Sequence, residues 1–194
     1  MGQRIIGLTG GIATGKSTVS QYLAQHHGLP VLDADVFARQ AVAPGTPILQ
    51  GLGQRYGARI QNEDGTLNRH QLGQIIFHDP AEKSWVEAQI HPFVRQRFAE
   101  EMTKLQTVST VIQAIPLLFE ADLTHQVTEI WVVFCPEEMQ LTRLMQRDGL
   151  SQTMAQARMN NQWPLALKLS RADQVLDNSG TLENLYAQVD RALG

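Results

Sequence analysis

Cysteine is almost missing from this chain. Cys135 is the only one in 194 residues, which excludes an internal disulfide, and no Cys/His spacing suggests a zinc site. The thiol is expected to be a small buried residue at a strand end rather than a nucleophile. There is no excess of positive charge either. The net charge is −3, so no general field draws nucleic acid or an anionic membrane to the surface. Long hydrophobic runs are absent as well. The apolar start, Ile5 to Leu8, is too short for a membrane span or a secretory h-region. Ile6 stands where an N-terminal acylation signal beginning at Gly2 needs Ser or Thr. Together these absences lead us to expect a cytoplasmic protein without membrane or nucleic-acid partners. A monomer or weak homo-oligomer is the expected state.

What remains is an ordinary globular composition, 43% apolar and 18% charged, with a length that suits one domain able to bury a real core. Arg4 to Leu8 is a compact apolar run ending in glycines, which reads as a buried strand. From Lys16 to His27, Val19, Tyr22 and Leu23 fall at helical spacing, and Gly28 suits the helix end. Pro30 to Leu32 leads a second short strand into Asp33-Ala34-Asp35. Strand, glycine loop, helix, strand is a βαβ unit, which implies a parallel sheet covered by helices.

Further apolar strands are expected at Thr110–Ile115, Glu129–Phe134 and Gln174–Leu176. Helices are expected over Glu137–Asp148, from Ser151 toward Trp163-Pro164, and after Thr181. The stretch from Val36 to Gln106 reads as helical, broken at Pro44-Gly45, at Pro47 and at the turn Asn62-Glu63-Asp64-Gly65. The fold class is α/β, a three-layer doubly wound parallel sheet of about five strands.

Gly10 to Ser17, reading Gly-Gly-Ile-Ala-Thr-Gly-Lys-Ser, satisfies G-x-x-x-x-G-K-S/T. A loop that wraps phosphates turns backbone N–H groups inward, and glycine allows both that conformation and the close approach. The helix that follows points its positive end at the anion. Gly11, Ile12, Ala13, Thr14, Gly15, Lys16, Ser17 and Thr18 are therefore the expected ATP-binding residues. Lys16 reaches the β- and γ-phosphates, and Ser17 ligates Mg²⁺. Chance yields such a pattern in about one chain of this composition in several hundred. Ala13 occupies a free position of the pattern, and its φ is expected to be negative.

A phosphate loop alone serves kinases, GTP switches and motors. Asp177-Asn178-Ser179-Gly180 matches a switch's D-x-x-G by letter, but N-K-x-D is absent, and the segment reads as a turn before the last helix. The strand Thr110–Ile115 ends in Pro116 without the acidic residue that motors carry there. A small-molecule kinase manages without it, because water completes the Mg²⁺ octahedron. On the acceptor side, Asp33 and Asp35 follow the second strand at the sheet edge where ligands bind. In an extended segment both would share one face. Either could instead form an Asx turn or cap the next helix. Arg143, Arg147 and Arg158 could neutralise charge on the transferred phosphoryl group from a flap, or could line a solvated face.

With these features in place the chain resembles the dephospho-coenzyme A kinases. The likeness spans Gly7–Ile12, Asp33–Asp35 with Ala38-Arg39, Gly65–Arg69, Ile76-Phe77, His91-Pro92, Pro116–Glu120, Met145–Asp148, Arg158, Gln162, Ala172-Asp173 and Asp177-Asn178. The Pro-Leu-Leu-Phe-Glu and His-Pro elements are not shared by phosphate-loop kinases in general. The resemblance implies ATP-dependent phosphorylation of the ribose 3′-hydroxyl of dephospho-coenzyme A, the last step of coenzyme A synthesis. It also implies a core over about 1–35, 107–136 and 173–194, a helical acceptor-binding insertion over about 36–106, and a lid over about 137–172. By position it makes Lys16, Asp35, Arg143 and Arg147 catalytic, Asp35 as base or orienting group. Thr9, Asp33, Arg39, His91 and Leu117 would line the acceptor site, and Asn178 would lie near the adenine. The loop departs from the family's more frequent Ile-Gly-Ser-Gly by reading Ile-Ala-Thr-Gly.

Overall fold

The computed structural model describes residues 2–194, the His78 side chain excepted. Five short strands form one parallel sheet. They are β1 (Arg4–Gly10), β2 (Val31–Asp33), β3 (Thr110–Ala114), β4 (Glu129–Phe134) and β5 (Gln174–Asp177), in the spatial order β2-β3-β1-β4-β5. Leu8 lies opposite both Ala114 and Trp131, so β1 is the central strand. A strand paired on both sides and covered on both faces has no face for alternating polar residues, hence the unbroken apolar runs. The strand order reverses beside β1, which puts the loop after β1 at the switch point where such sheets bind ligands.

Two helices supply much of the apolar cover for this sheet. In α1 (Lys16–His26) Val19 and Leu23 are fully buried, and in α9 (Leu182–Leu193) Leu185 and Val189 are. They share one core with Ile6, Leu8, Ile112, Trp131, Val133 and Leu176. Each such side chain stabilises the fold by about 1.5–3 kcal/mol on burial. Local chemistry sets the helix ends as expected. Gly28 takes a left-handed φ of 63° after α1, and the Thr181 hydroxyl accepts the Asn184 N–H at the start of α9. At the other end of α9 the Arg4 guanidinium donates to the Ala192 and Leu193 carbonyls, placing positive charge where the helix dipole is negative. Between β4 and β5 lie α6 (Glu137–Asp148), α7 (Gln152–Asn160) and the short α8 (Leu165–Leu169). The sequence reading carries the α7 helix on toward Trp163-Pro164 and does not foresee α8.

The chain divides into two compact units. The sheet unit comprises the chain up to Asp33 together with Leu105–Gly194, and Ala34–Lys104 forms a helical unit. The helical unit contains α2 (Ala34–Ala41), α3 (Pro47–Tyr56), α4 (Arg69–His78) and α5 (Pro80–Lys104). Its own core gathers Val42, Leu49, Leu52, Tyr56, Ile60, Leu67, Leu72 and Val86. Pro47 occupies the first turn of α3 behind the Thr46 cap, where its missing N–H costs nothing. The Asn62–Gly65 turn closes with the Asn62 N–H on the Thr66 carbonyl and Asp64 accepting from Thr66. α5 runs through Pro92, although proline removes one helical hydrogen bond there. No helix among the described residues is long and apolar enough to cross a membrane.

Candidate active site

The phosphate loop leaves β1 at Gly10, where a side chain would stand 2.6 Å from the Val133 carbonyl of the neighbouring strand. The Thr14 N–H donates to the Gly11 carbonyl, closing a turn with Ile12 and Ala13 at its centre. Ala13 takes φ 62°, which overturns the expectation of a negative value. The reason is its place as the third residue of that turn, the position where a type II turn requires φ > 0. Alanine is therefore held in a conformation that costs it about 1–2 kcal/mol. Thr14 is buried, its hydroxyl on the Gly11 carbonyl at 2.8 Å, while its own carbonyl accepts the Asn178 side-chain amide at 2.8 Å. Gly15 has φ 104°, and any side chain there would collide with the Asn178 amide. Asn178 thus braces the loop from the β5 end. Its expected place beside an adenine is a separate matter.

Lys16 opens α1, where the first hydrogen bond is that of the Thr18 N–H on the Gly15 carbonyl, and the N–H groups ahead of it are of the kind that bind anions. The ammonium lies 3.7 Å from an Asp33 carboxylate oxygen. Its side chain is only 11% exposed, and among the described residues Nζ has no hydrogen-bond partner. Burying an ammonium without hydrogen bonds is costly, and such groups are kept where a ligand needs them. Ser17 next to it is exposed.

The three arginines divide. Arg143 points inward from α6, donating to the Asn178 carbonyl at 3.2 Å, while its Nη1 is buried without a hydrogen-bond partner among the described residues. Arg147 and Arg158 both pair with Asp148, at 2.7 and 2.8 Å. Those hydrogen bonds, Arg147's foremost, hold the Asp148 carboxyl below its usual range. Cys135 follows β4 and is wholly buried. Burial pushes its thiol up, against a smaller opposing effect of Arg143, so it is no ready thiolate, as its sequence context suggested.

Thr9 is also buried, its hydroxyl committed to the Pro116 carbonyl at 3.1 Å, whereas Leu117 beside that carbonyl is exposed. Asp33 ends β2, and Asp35 lies in the first turn of α2. The two carboxylates therefore flank a strand-to-helix junction rather than sharing one face of an extended segment as expected. In the helical unit Asp35, Arg39 and His91 are exposed. Partial burial, with Arg39 nearby, holds the Arg69 guanidinium below its usual range.

Sequence reasoning gave no role to four buried or half-buried polar residues. Gln140 packs against Gly11. Gln162 accepts the Ile12 N–H at 2.7 Å. Lys168 is fully buried on Glu120 at 2.8 Å. The one available signal for Lys168 was its position amid Leu165, Leu167 and Leu169, where a solvated lysine is out of place.

A family model described as dephospho-CoA kinase matches residues 4–184. The chain belongs to the dephospho-CoA kinase family. A curated relative named dephospho-CoA kinase, from Trichormus variabilis, is 54% identical over 193 residues, covering 100% of this chain and 98% of the relative. Among solved structures, a protein of Thermus thermophilus aligns with a TM-score of 0.83 at 35% identity, over 100% of this chain and 97% of its own. A dephospho-CoA kinase from Campylobacter jejuni aligns at 0.71 and 27%, over 97% and 94%. The chain is a kinase with the parallel α/β sheet of its family, and ATP is the family's phosphoryl donor.

Proposed function

We propose that this chain transfers the γ-phosphoryl group of ATP to the ribose 3′-hydroxyl of dephospho-coenzyme A, the final step of coenzyme A synthesis. One observation carries the reading: a phosphate loop whose buried Lys16 ammonium has no hydrogen-bond partner among the described residues, in a chain of this family. Lys16 and the N–H groups opening α1 bind the β- and γ-phosphates and stabilise charge on the transferred group. Arg143, with a buried nitrogen that has no hydrogen-bond partner among the described residues, is the arginine best suited to join them, and Arg147 would have to leave Asp148 to do so. Asp35 orients or deprotonates the accepting hydroxyl. Thr9, Asp33, Arg39, His91 and Leu117 are the residues assigned to acceptor binding. Residues from about 36 to 106 form the acceptor-binding insertion, and of residues 137–172 the part ahead of Gln162 acts as a lid.

Mg²⁺ enters with the nucleotide. The described residues contain no cluster of three or more His, Cys, Asp or Glu that could hold a metal by itself. One exposed Ser17 hydroxyl, completed by phosphate oxygens and water, suits a small cation that keeps most of its hydration shell. The bound ion would shield the charge between donor and acceptor. We place the enzyme in the cytoplasm, as a monomer or weak homo-oligomer.

The test is to incubate the purified chain with ATP, Mg²⁺ and a panel of acceptors while following ADP release. Turnover strongly selective for dephospho-coenzyme A is expected. Preference for nucleosides or their monophosphates would overturn the acceptor, and nucleotide binding without acceptor-dependent turnover would indicate a switch.

A further inference from the structure

The backbone N–H of Ile12, inside the phosphate loop, donates to the Gln162 side-chain oxygen at 2.7 Å. Gln162 lies between α7 and α8, 150 residues further along the chain. A contact this distant in sequence requires the segment that carries Gln162 to be fixed, and it is. Glu120 Oε1 accepts both the Trp163 N–H at 2.9 Å and the Lys168 ammonium at 2.8 Å. Lys168 is fully buried and also donates to the Pro116 carbonyl. Trp163 stacks on Phe119, and the Arg171 guanidinium lies over the Trp163 ring at 5.0 Å. The residues on either side of α8 are thereby pinned to the Pro116–Glu120 turn. A buried ion pair is weak evidence of stability, since its desolvation offsets most of its attraction. Its worth here is geometric.

We propose that Gln162 is a positioning residue of the nucleotide site, holding the Ile12 arm of the phosphate loop, and that the buried Glu120–Lys168 pair holds Gln162 in place. The inference rests on the kinase reading and adds residues to it. Lys168 touches no nucleotide; it acts through Gln162. The Thr9 hydroxyl and Lys168 share the Pro116 carbonyl, so the same turn that presents Leu117 is tied to the phosphate loop.

Gln162→Met keeps length and removes the acceptor. Calorimetric titration with ATP should show binding weakened by about tenfold, the size of one hydrogen bond. The KM for dephospho-coenzyme A should stay within about twofold, and Tm within a few degrees, which separates positioning from a merely structural role. Glu120→Gln combined with Lys168→Met neutralises the pair without stranding a charge and should give a similar loss. Adding Gln162→Met to it should then weaken ATP binding by less than about twofold more, because coupled residues are not additive. ATP binding unchanged in Gln162→Met would overturn the proposal even if the multiple variants misfold, and full additivity would overturn the link through Lys168. The titration needs no acceptor, so it reads this inference even if the acceptor assay fails.

Discussion

The two units solve different problems of order. In the sheet unit the reactive groups sit on backbone held from several directions: Asn178 on Thr14, Gln162 on Ile12, the Val133 strand against Gly10. In the helical unit the expected acceptor residues Asp35, Arg39 and His91 are exposed side chains, and the interlocked polar groups lie elsewhere, in the network of Arg55, Tyr56 and Glu82. A nucleotide's phosphates present the same shape to every enzyme of this kind, so rigid backbone donors serve them. An acceptor is recognised by side chains, which are free to differ. Changes in the sheet unit should therefore act through nucleotide geometry, and changes in the helical unit through the acceptor or through stability.

The largest effect is expected from Lys16→Ala. Removing the ammonium should lower kcat/KM by on the order of 10³ or more, because it stabilises charge that grows in the transition state. The fold should persist, since Nζ makes no hydrogen bond among the described residues and its ion pair with Asp33, at 3.7 Å, is long and contributes little. Circular dichroism beside steady-state kinetics checks both halves. An active variant would remove the phosphate loop from the mechanism.

Asp35→Asn tests the other unit. If Asp35 assists the hydroxyl, kcat should fall by about 10²–10⁴ with little change in the acceptor's KM. A rise in KM alone would make it a binding residue, and the contrast between the units would then be one of position only.

How much of this was legible beforehand follows the same division. The sheet could be read because strands such as Glu129–Phe134 are buried on both faces, so composition alone marks them, and the structure's bounds for that strand match the expected ones. The phosphate loop could be read because its chemistry is backbone chemistry, tied to glycine spacing. Thr181 and Ser151 announced their helices because a cap is a local event. The tethers could not be read. Gln162 and Lys168 matter through partners more than 40 residues away, and nothing local to either distinguishes it from a surface residue except lysine's odd company among leucines. Ala13 was misjudged for a related reason. A free position in a pattern constrains identity, not backbone, and the turn that Thr14 closes on Gly11 decides its φ.

A smaller effect, on stability alone, is expected at Glu82. Its carboxylate takes two hydrogen bonds from Arg55 at 2.8 Å and one from the Tyr56 hydroxyl at 2.5 Å. The Arg55 hydrogen bond, then Tyr56, hold its pKa down at about 2. A depressed folded pKa means stability that is full above the unfolded value near 4.5 and is lost as pH falls toward about 2. Wild type should therefore melt above Glu82→Gln at pH 6, and the gap should shrink steadily between pH 4.5 and 2. A gap independent of pH would show that packing around Trp85 and Tyr56, rather than charge, holds this part of the helical unit.

The smallest expected change has the opposite sign and returns to the sheet unit. Ala13 sits at φ 62° with a methyl group that opposes that conformation. Glycine would relieve a strain of about 1–2 kcal/mol, while its greater freedom in the unfolded chain returns roughly 0.5–1 kcal/mol of that gain. A net stabilisation of about 1 kcal/mol should raise Tm by about 2–4 °C. ATP affinity should be nearly unchanged, because the turn is closed by Thr14 and Gly11 and braced by Asn178 whichever residue occupies position 13. If Ala13→Gly instead weakens ATP binding while raising Tm, the alanine stiffens the loop in its working shape. Rigidity in the sheet unit would then come from strain as well as from tethers.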